Sequence, residues 1–219
     1  MTTSEDLDDL DDLDALTALA DGVRRQAYRV VADGTAPVGR DEVAEALGIG
    51  RTLAAFHLDK LVTAGLLETS YARRSGKTGP GAGRPAKLYR ITAAEHVVSV
   101  PPRSYRTAAE LLAEAIELAG AEDVLHRVAE RHGRQATACA DAQELLAGHG
   151  YAPAADGPDR VELRNCPFHR VAEQFPPTIC GMNLAMINGL LAGAGLAGEW
   201  TARMEAAPGR CCVALTRAA

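Results

Sequence analysis

Residues 48–67, Gly48-Ile49-Gly50-Arg51-Thr52-Leu53-Ala54-Ala55-Phe56-His57-Leu58-Asp59-Lys60-Leu61-Val62-Thr63-Ala64-Gly65-Leu66-Leu67, decide how the start of this chain folds. From Arg51 to Ala64, the apolar residues Ala54, Leu58, Leu61 and Val62 recur at i, i+4, i+7 and i+8, one face of a helix, while Arg51, Thr52, Ala55 and Phe56 point elsewhere. Upstream, a helix starts near Asp41, a residue able to cap it, and runs through Val43, Ala44 and Leu47 until Gly48 ends it. Helix, tight glycine turn and helix make a helix-turn-helix. Further upstream, Leu16, Leu19, Ala20, Val23, Tyr28 and Val31 predict one amphipathic helix over Leu13–Val31, broken by Asp33-Gly34.

Downstream, Gly65-Leu66-Leu67 closes the helix, Leu67–Tyr71 reads as a strand and Lys87–Ile91 as its return, with a Gly/Pro-rich loop between them. Residues 70–94 carry six bases (Arg73, Arg74, Lys77, Arg84, Lys87, Arg90) and no acid. Such a hairpin attracts phosphates without regard to sequence, and its glycines let the backbone approach a duplex closely. Specificity then falls to the helix that begins at Arg51, whose first residues can read base edges. The predicted DNA-binding residues are Arg51, Thr52, Ala55, Phe56, His57 and Lys60 on that helix, with Arg73, Arg74, Lys77, Arg84 and Lys87 in the hairpin. His57 is read as a helix residue beside the DNA backbone or in the packing, not as a metal ligand.

A formal net charge of −6 speaks against a nucleic-acid partner until its distribution is read: the charge is segregated. Seven acids (Glu5, Asp6, Asp8, Asp9, Asp11, Asp12, Asp14) crowd residues 1–14 with no base, and setting them aside turns −6 into +1. That block reads as a solvated, disordered tail. With 47% hydrophobic and 24% charged residues the remainder has a globular composition, and 219 residues allow two domains with cores of their own. No run of about 18 consecutive apolar residues is present and the acidic N-terminus is unlike a secretory signal. The expectation is a cytoplasmic protein with no membrane partner.

Thr107 to about Leu146 is rich in Ala, Leu and Glu, with Leu111, Leu112, Ala115, Ile116, Leu118 and Ala119 at helical spacing. Long helices of this kind suit a subunit contact, because a two-fold dimer engages two operator half-sites. His126, His132 and His149, scattered among charged residues, read as solvated.

Five cysteines, an odd number, do not read as a disulfide framework in a reducing compartment. Cys139, alone in a helical pattern, reads as a small buried apolar side chain. The others fall in the last third. Arg160–Leu163 is predicted as a strand leading to Cys166-Pro167-Phe168-His169; Cys180 precedes an apolar helix over Met182–Leu191; and Cys211-Cys212 opens a last strand over Cys211–Leu215. Neighbouring strand residues face opposite ways, so only one of Cys211 and Cys212 should meet a given site. Three thiolates and the His169 imidazole suit one tetrahedral zinc ion or an iron–sulfur cluster, and spacing alone leaves both open.

The stretch from Gly48 to Leu67, followed by Gly83-Arg84-Pro85-Ala86-Lys87-Leu88-Tyr89, resembles winged-helix regulators of the ArsR-like superfamily. The run Cys166-Pro167-Phe168-His169-Arg170-Val171-Ala172, then Phe175-Pro176, Cys180 and Gly209-Arg210-Cys211, resembles the sensor domain of the iron–sulfur-responsive repressors of the Suf assembly operon. The resemblance implies a homodimeric repressor on a double-stranded DNA operator, with one cluster per subunit, 4Fe–4S in the expected form. It implies ligands Cys166, Cys180 and Cys211 or Cys212, with His169 as a fourth. Zinc, another metal or a thiol-redox centre is the alternative occupant. A Cys166–His169 enzyme is the remote one, since no third orienting group or oxyanion-hole glycine motif stands near the pair; the chain is expected not to be an enzyme.

The expected fold is therefore mainly α with small β elements, an α+β chain. It comprises an acidic disordered tail (1–14), a winged helix-turn-helix (15–95), a helical dimerisation segment (103–150) and an α+β cysteine-containing sensor domain (151–219).

Overall fold

The computed structural model describes residues 12–34, 36–72, 85–92, 95–99, 101, 103–207 and 210–218. The chain is mixed α+β, with small sheets. It divides into two compact units, Met1–Arg103 and Ser104–Ala219.

In the first unit, helix α1 is described over residues 12–18 and is followed by α2 (Gly22–Asp33), β1 (Val38–Gly39), α3 (Arg40–Leu47), α4 (Arg51–Thr63), β2 (Leu67–Ala72) and β3 (Ala86–Ile91). The single helix expected over Leu13–Val31 is two. Asp21 takes the extended conformation of an N-cap and accepts the Arg24 backbone N–H at 2.8 Å, which starts α2 afresh. Of the acidic stretch expected to be a disordered tail, residues 12–14 are helical. The Asp12 carboxylate there meets the His96 ring at 2.8 Å and accepts the Val97 N–H at 3.0 Å.

Helix α3 begins one residue before Asp41, with Gly39 as its cap: the Glu42 carboxylate reaches back to the Gly39 N–H at 2.6 Å. Gly48 ends α3 in the left-handed region (φ 64°), a conformation that only glycine adopts without strain, and α4 starts three residues later. Strand β3 pairs antiparallel with β2 from Leu67↔Ile91 to Ala72↔Ala86, and on its other edge with β1, a short strand the sequence pattern did not announce. Ala15, Ala27, Val31, Val43, Ala54, Leu58, Leu61, Leu67 and Tyr89 form the core.

The second unit runs α5 (Tyr105–Ala119), α6 (Glu122–Gly133), α7 (Ala142–Gly148), β4 (Pro153–Ala155), β5 (Arg160–Leu163), α8 (His169–Gln174), α9 (Pro176–Ala194), β6 (Trp200–Met204) and β7 (Val213–Arg217). The strands form one antiparallel sheet in the order β4-β5-β7-β6. Helix α9 is the centre of the unit, burying Ile179, Ile187, Leu190, Leu191 and Ala194. By length and composition it is apolar enough to cross a membrane, but 44% of that window is buried within the unit and Thr178, Asn183 and Asn188 interrupt its apolar residues.

Helix α6 lies directly on α9 through glycines: a Cβ on Gly193 would sit 2.7 Å from the Arg134 carbonyl oxygen, and one on Gly189 or Gly133 would meet the opposite backbone more closely still. Cys139 is not helical. It lies in the connection between α6 and α7, packed partly buried against the core, with its thiol donating to the Asp141 carbonyl at 3.3 Å. His126 departs from the solvated reading, since its Nε2 is buried without a hydrogen-bond partner and its ring lies against Gly181; His132 and His149 are exposed.

Candidate functional site

Three elements deliver the C-terminal cysteines. Cys166 follows β5 in the turn before α8, where its sulfur accepts the Phe168 backbone N–H. Cys180 lies inside α9, not ahead of it, because Pro176 at the first helical position starts that helix earlier than the apolar pattern suggests. Cys211 and Cys212 precede β7, which begins at Val213. The alternation expected for a strand therefore does not govern them, and both reach other thiols.

The Cys211 N–H donates to the Leu163 carbonyl at 2.8 Å, so the end of β5 and the approach to β7 are clamped side by side just where Cys166 leaves the sheet. Arg210, 15% exposed in its side chain, fixes the same approach through Glu162 and through Glu205 at 3.0 Å. Arg160 joins the two carboxylates from β5, at 2.8 Å and 2.5 Å.

The thiols meet in sequence: Cys166 with Cys211, Cys211 with Cys212, and Cys212 with Cys180. The contacts run as a chain, and among the described residues no group of three or more His, Cys, Asp or Glu side chains is arranged to hold a metal ion. His169 does not join the row; its Nε2 lies 3.3 Å from the Glu173 carboxylate, and the side chain is 61% exposed.

The row is electrostatically uneven. Hydrogen bonding from Cys166 pulls the Cys211 thiol below its ordinary range, helped by the Val213 N–H and the Asn183 amide and opposed by burial. Its partner Cys166 is pushed up by that hydrogen bond and by burial. Burial raises Cys212, with the contact to Cys180 adding to it. Thus, of Cys166, Cys211 and Cys212, it is Cys211 that is held ready to carry charge. Asn183 and Tyr151, which the sequence reading did not single out, complete the surroundings: the Asn183 Nδ2 stands 3.2 Å from the Cys211 sulfur, and the Tyr151 hydroxyl donates to Asn183 Oδ1 at 2.5 Å. The available signal is an Asn inside a largely apolar helix, one turn beyond a cysteine.

In the first unit, Arg51, Thr52, Phe56 and Lys60 are exposed on α4, Ala55 is half-buried, and Leu53 and Phe56 are apolar residues left largely in solvent. Arg51 lies 3.3 Å from Asp41, and the Lys60 ammonium stands over the Phe56 ring at 5.9 Å. His57 is 6% exposed, its Nδ1 3.9 Å from Asp21, so its ring belongs to the packing side of α4. Lys87 is engaged by Asp59 at 2.6 Å. Arg73, Arg74, Lys77 and Arg84 lie outside the described residues.

Comparison with family models, with curated proteins and with solved structures finds no match to this chain.

Proposed function

We propose that this chain is a DNA-binding transcriptional regulator, acting as a homodimeric repressor on a double-stranded operator and governed by its C-terminal cysteines. The observation that carries the reading is the succession of α3, left-handed Gly48 and α4, with Arg51, Thr52, Phe56 and Lys60 facing outward and an antiparallel hairpin following. In this reading the first unit is a winged helix: α4 enters the major groove, Arg51 and Thr52 meet base edges, Lys60 neutralises phosphate, and the basic loop between β2 and β3 is the wing. Exposed Tyr105, Leu111, Leu112 and Leu118 on α5 supply the apolar face for a second copy of the chain.

For the sensor, Cys166, Cys180, Cys211 and Cys212 are the residues that would hold an iron–sulfur cluster, since thiolates bind one as soft anionic ligands; their contacts run pairwise, so holding it requires the four to regroup. The amide N–H of Asn183 and the backbone N–H of Val213, both directed at Cys211, suit a negatively charged sulfur. When bound, a cluster supplies a one-electron couple and ties the segments carrying these residues together. The chain's own contribution is to clamp Cys211 beside the end of β5, from which Cys166 departs, through the Cys211–Leu163 backbone bond, and to bury the Cys211 side chain.

A second reading, a thiol–disulfide switch, is favoured by the pairwise contacts of Cys166 with Cys211 and Cys180 with Cys212.

The test of the DNA reading is fluorescence anisotropy with a random-sequence DNA pool at several salt concentrations. Binding that weakens steeply with salt and is lost in Arg51→Ala/Lys60→Ala supports it; absence of binding at low salt refutes it. An absorption spectrum of anaerobically purified protein, with iron, sulfide and zinc assays, separates the occupants. Brown protein with iron and sulfide supports a cluster, colourless protein with zinc a single ion, and a metal-free protein with an oxidant-dependent disulfide the switch.

A further inference from the structure

Asn183 is wholly buried, one of the few polar side chains so placed among the described residues, and it sits on α9 in a largely apolar run. Both ends of its amide are spoken for. The oxygen accepts the Tyr151 hydroxyl at 2.5 Å, which leaves the Nδ2 group facing sulfur: 3.2 Å from Cys211 and 4.0 Å from Cys166. A neutral thiol is a weak acceptor, whereas an anionic sulfur is a strong one. An amide N–H removed from water and aimed at sulfur is therefore best satisfied when the sulfur carries charge, as a ligand or as a reacting thiolate.

The orientation is built in from two sides. Asn183 stands one turn along α9 from Cys180, so the helix that brings the third cysteine also brings the amide. Tyr151, 5% exposed, follows Gly150 in the left-handed region (φ 85°). That turn is stitched to the segment that delivers Cys166, since the Asn165 Nδ2 donates to the Gly150 carbonyl at 2.6 Å and the Arg164 N–H to the Ala152 carbonyl at 2.8 Å.

We infer that Asn183 is the positioning residue of the thiol centre, holding Cys211 and Cys166 through its Nδ2 group while Tyr151 fixes which way the amide points. The inference rests on the proposed reading of these cysteines as the reactive centre. Donor N–H groups favour the more negative, reduced state of a thiolate-held cluster, and equally the thiolate form of a dithiol/disulfide pair. Removing the donor shifts either couple the same way, toward a more negative potential.

The experiment measures the midpoint potential of full-length wild type, Asn183→Leu and Tyr151→Phe after anaerobic reconstitution with iron and sulfide, with both counted per chain and Cys166→Ser as the unloaded control. Where the wild type takes up no iron, the same variants are equilibrated in glutathione buffers and the disulfide is quantified by mass spectrometry. The expected result is a more negative potential in Asn183→Leu, on the order of tenfold in the oxidised-to-reduced ratio at fixed potential, and a smaller shift of the same sign in Tyr151→Phe. Tyr151→Phe keeps the assignment falsifiable if Asn183→Leu does not fold. Unchanged potentials in variants that load or oxidise like the wild type overturn the role of Asn183 alone. A wild type that neither loads nor forms a disulfide overturns the reactive centre, and the assignment with it.

Discussion

The Tyr89 hydroxyl on β3 donates to the Asp59 carboxylate on α4 at 3.0 Å, and the Lys87 ammonium reaches the same oxygen at 2.6 Å. Residues two apart on a strand share a face, so one carboxylate gathers both side chains and fastens the return strand of the hairpin to the helix. Burial acts to raise the Asp59 pKa, but the hydrogen bonds from Lys87 and Tyr89 outweigh it and hold the carboxyl below its usual range. A depressed folded-state pKa gives stability that is fully present above the unfolded value, about 3.9, and lost as pH falls through the folded one. Asp59→Asn should cost roughly 1 kcal/mol at pH 7, because the carboxylate is partly exposed, and less at about pH 3. Urea denaturation of both proteins at the two pH values checks this; an equal difference at both would contradict it.

The α6–α9 contact allows no side chain at Gly189, where a Cβ would enter the Glu130 carbonyl. Gly189→Ala is expected to destabilise the second unit by about 2 kcal/mol or more, since backbone must move to admit it. Gly198→Ala, with open space around the added carbon, is the matched control and should stay within roughly 0.5 kcal/mol of wild type. Similar denaturation midpoints for the two variants would show that the helices separate cheaply.

Much of this arrangement was legible beforehand, and the misses have identifiable causes. The Ala54, Leu58, Leu61 stripe and the Gly48 stop fixed α3 and α4 to within a residue or two, because local periodicity and a left-handed glycine are short-range signals. The strand predicted over Arg160–Leu163 has those limits in the structure. The sequence predicts one helix over Leu13–Val31 because apolar spacing runs on across Asp21, and only the capping hydrogen bond reveals the break. The strand predicted to open at Cys211 begins at Val213, since the clamp to Leu163 is a long-range bond that no local pattern encodes. The same holds for the site. Cysteines announce themselves by residue type, whereas the partnership of Asn183 with Tyr151, 32 residues away, exists only in the fold.

Neutralising Arg74 and Lys77 is expected to weaken DNA binding about equally for all sequences and to reduce the salt slope by about 1 to 2, as loss of two phosphate contacts should. Arg51→Ala is expected instead to alter sequence preference. Anisotropy titrations over a salt series, with a selected and a scrambled duplex, distinguish the two. Wild-type affinity and slope in the Arg74/Lys77 variant would remove the electrostatic role assigned to the loop.

Leu111 and Leu118 are 62% and 83% exposed on α5. On the proposal that α5 carries a subunit contact, changing both to Glu should shift sedimentation from dimer to monomer while leaving the chain folded by far-ultraviolet circular dichroism. A wild type that sediments as a monomer, or a variant that still sediments as a dimer, would contradict the proposed contact on α5.

In the proposed function the state of the cysteines governs operator affinity, and one titration done four ways tests this. Operator DNA selected from the random pool is titrated with reconstituted protein, stripped protein, Cys166→Ser and Cys139→Ser, each in matched buffer. A sensor shifts its DNA-binding arm only by the difference in ligand affinity between two states, so a tenfold effect requires about 1.4 kcal/mol of coupling. The expected result is at least a tenfold difference between reconstituted and stripped protein, no such difference in Cys166→Ser treated both ways, and wild-type behaviour in Cys139→Ser. Equal affinities of reconstituted and stripped wild type, or a Cys166→Ser protein that still responds, would contradict the claim.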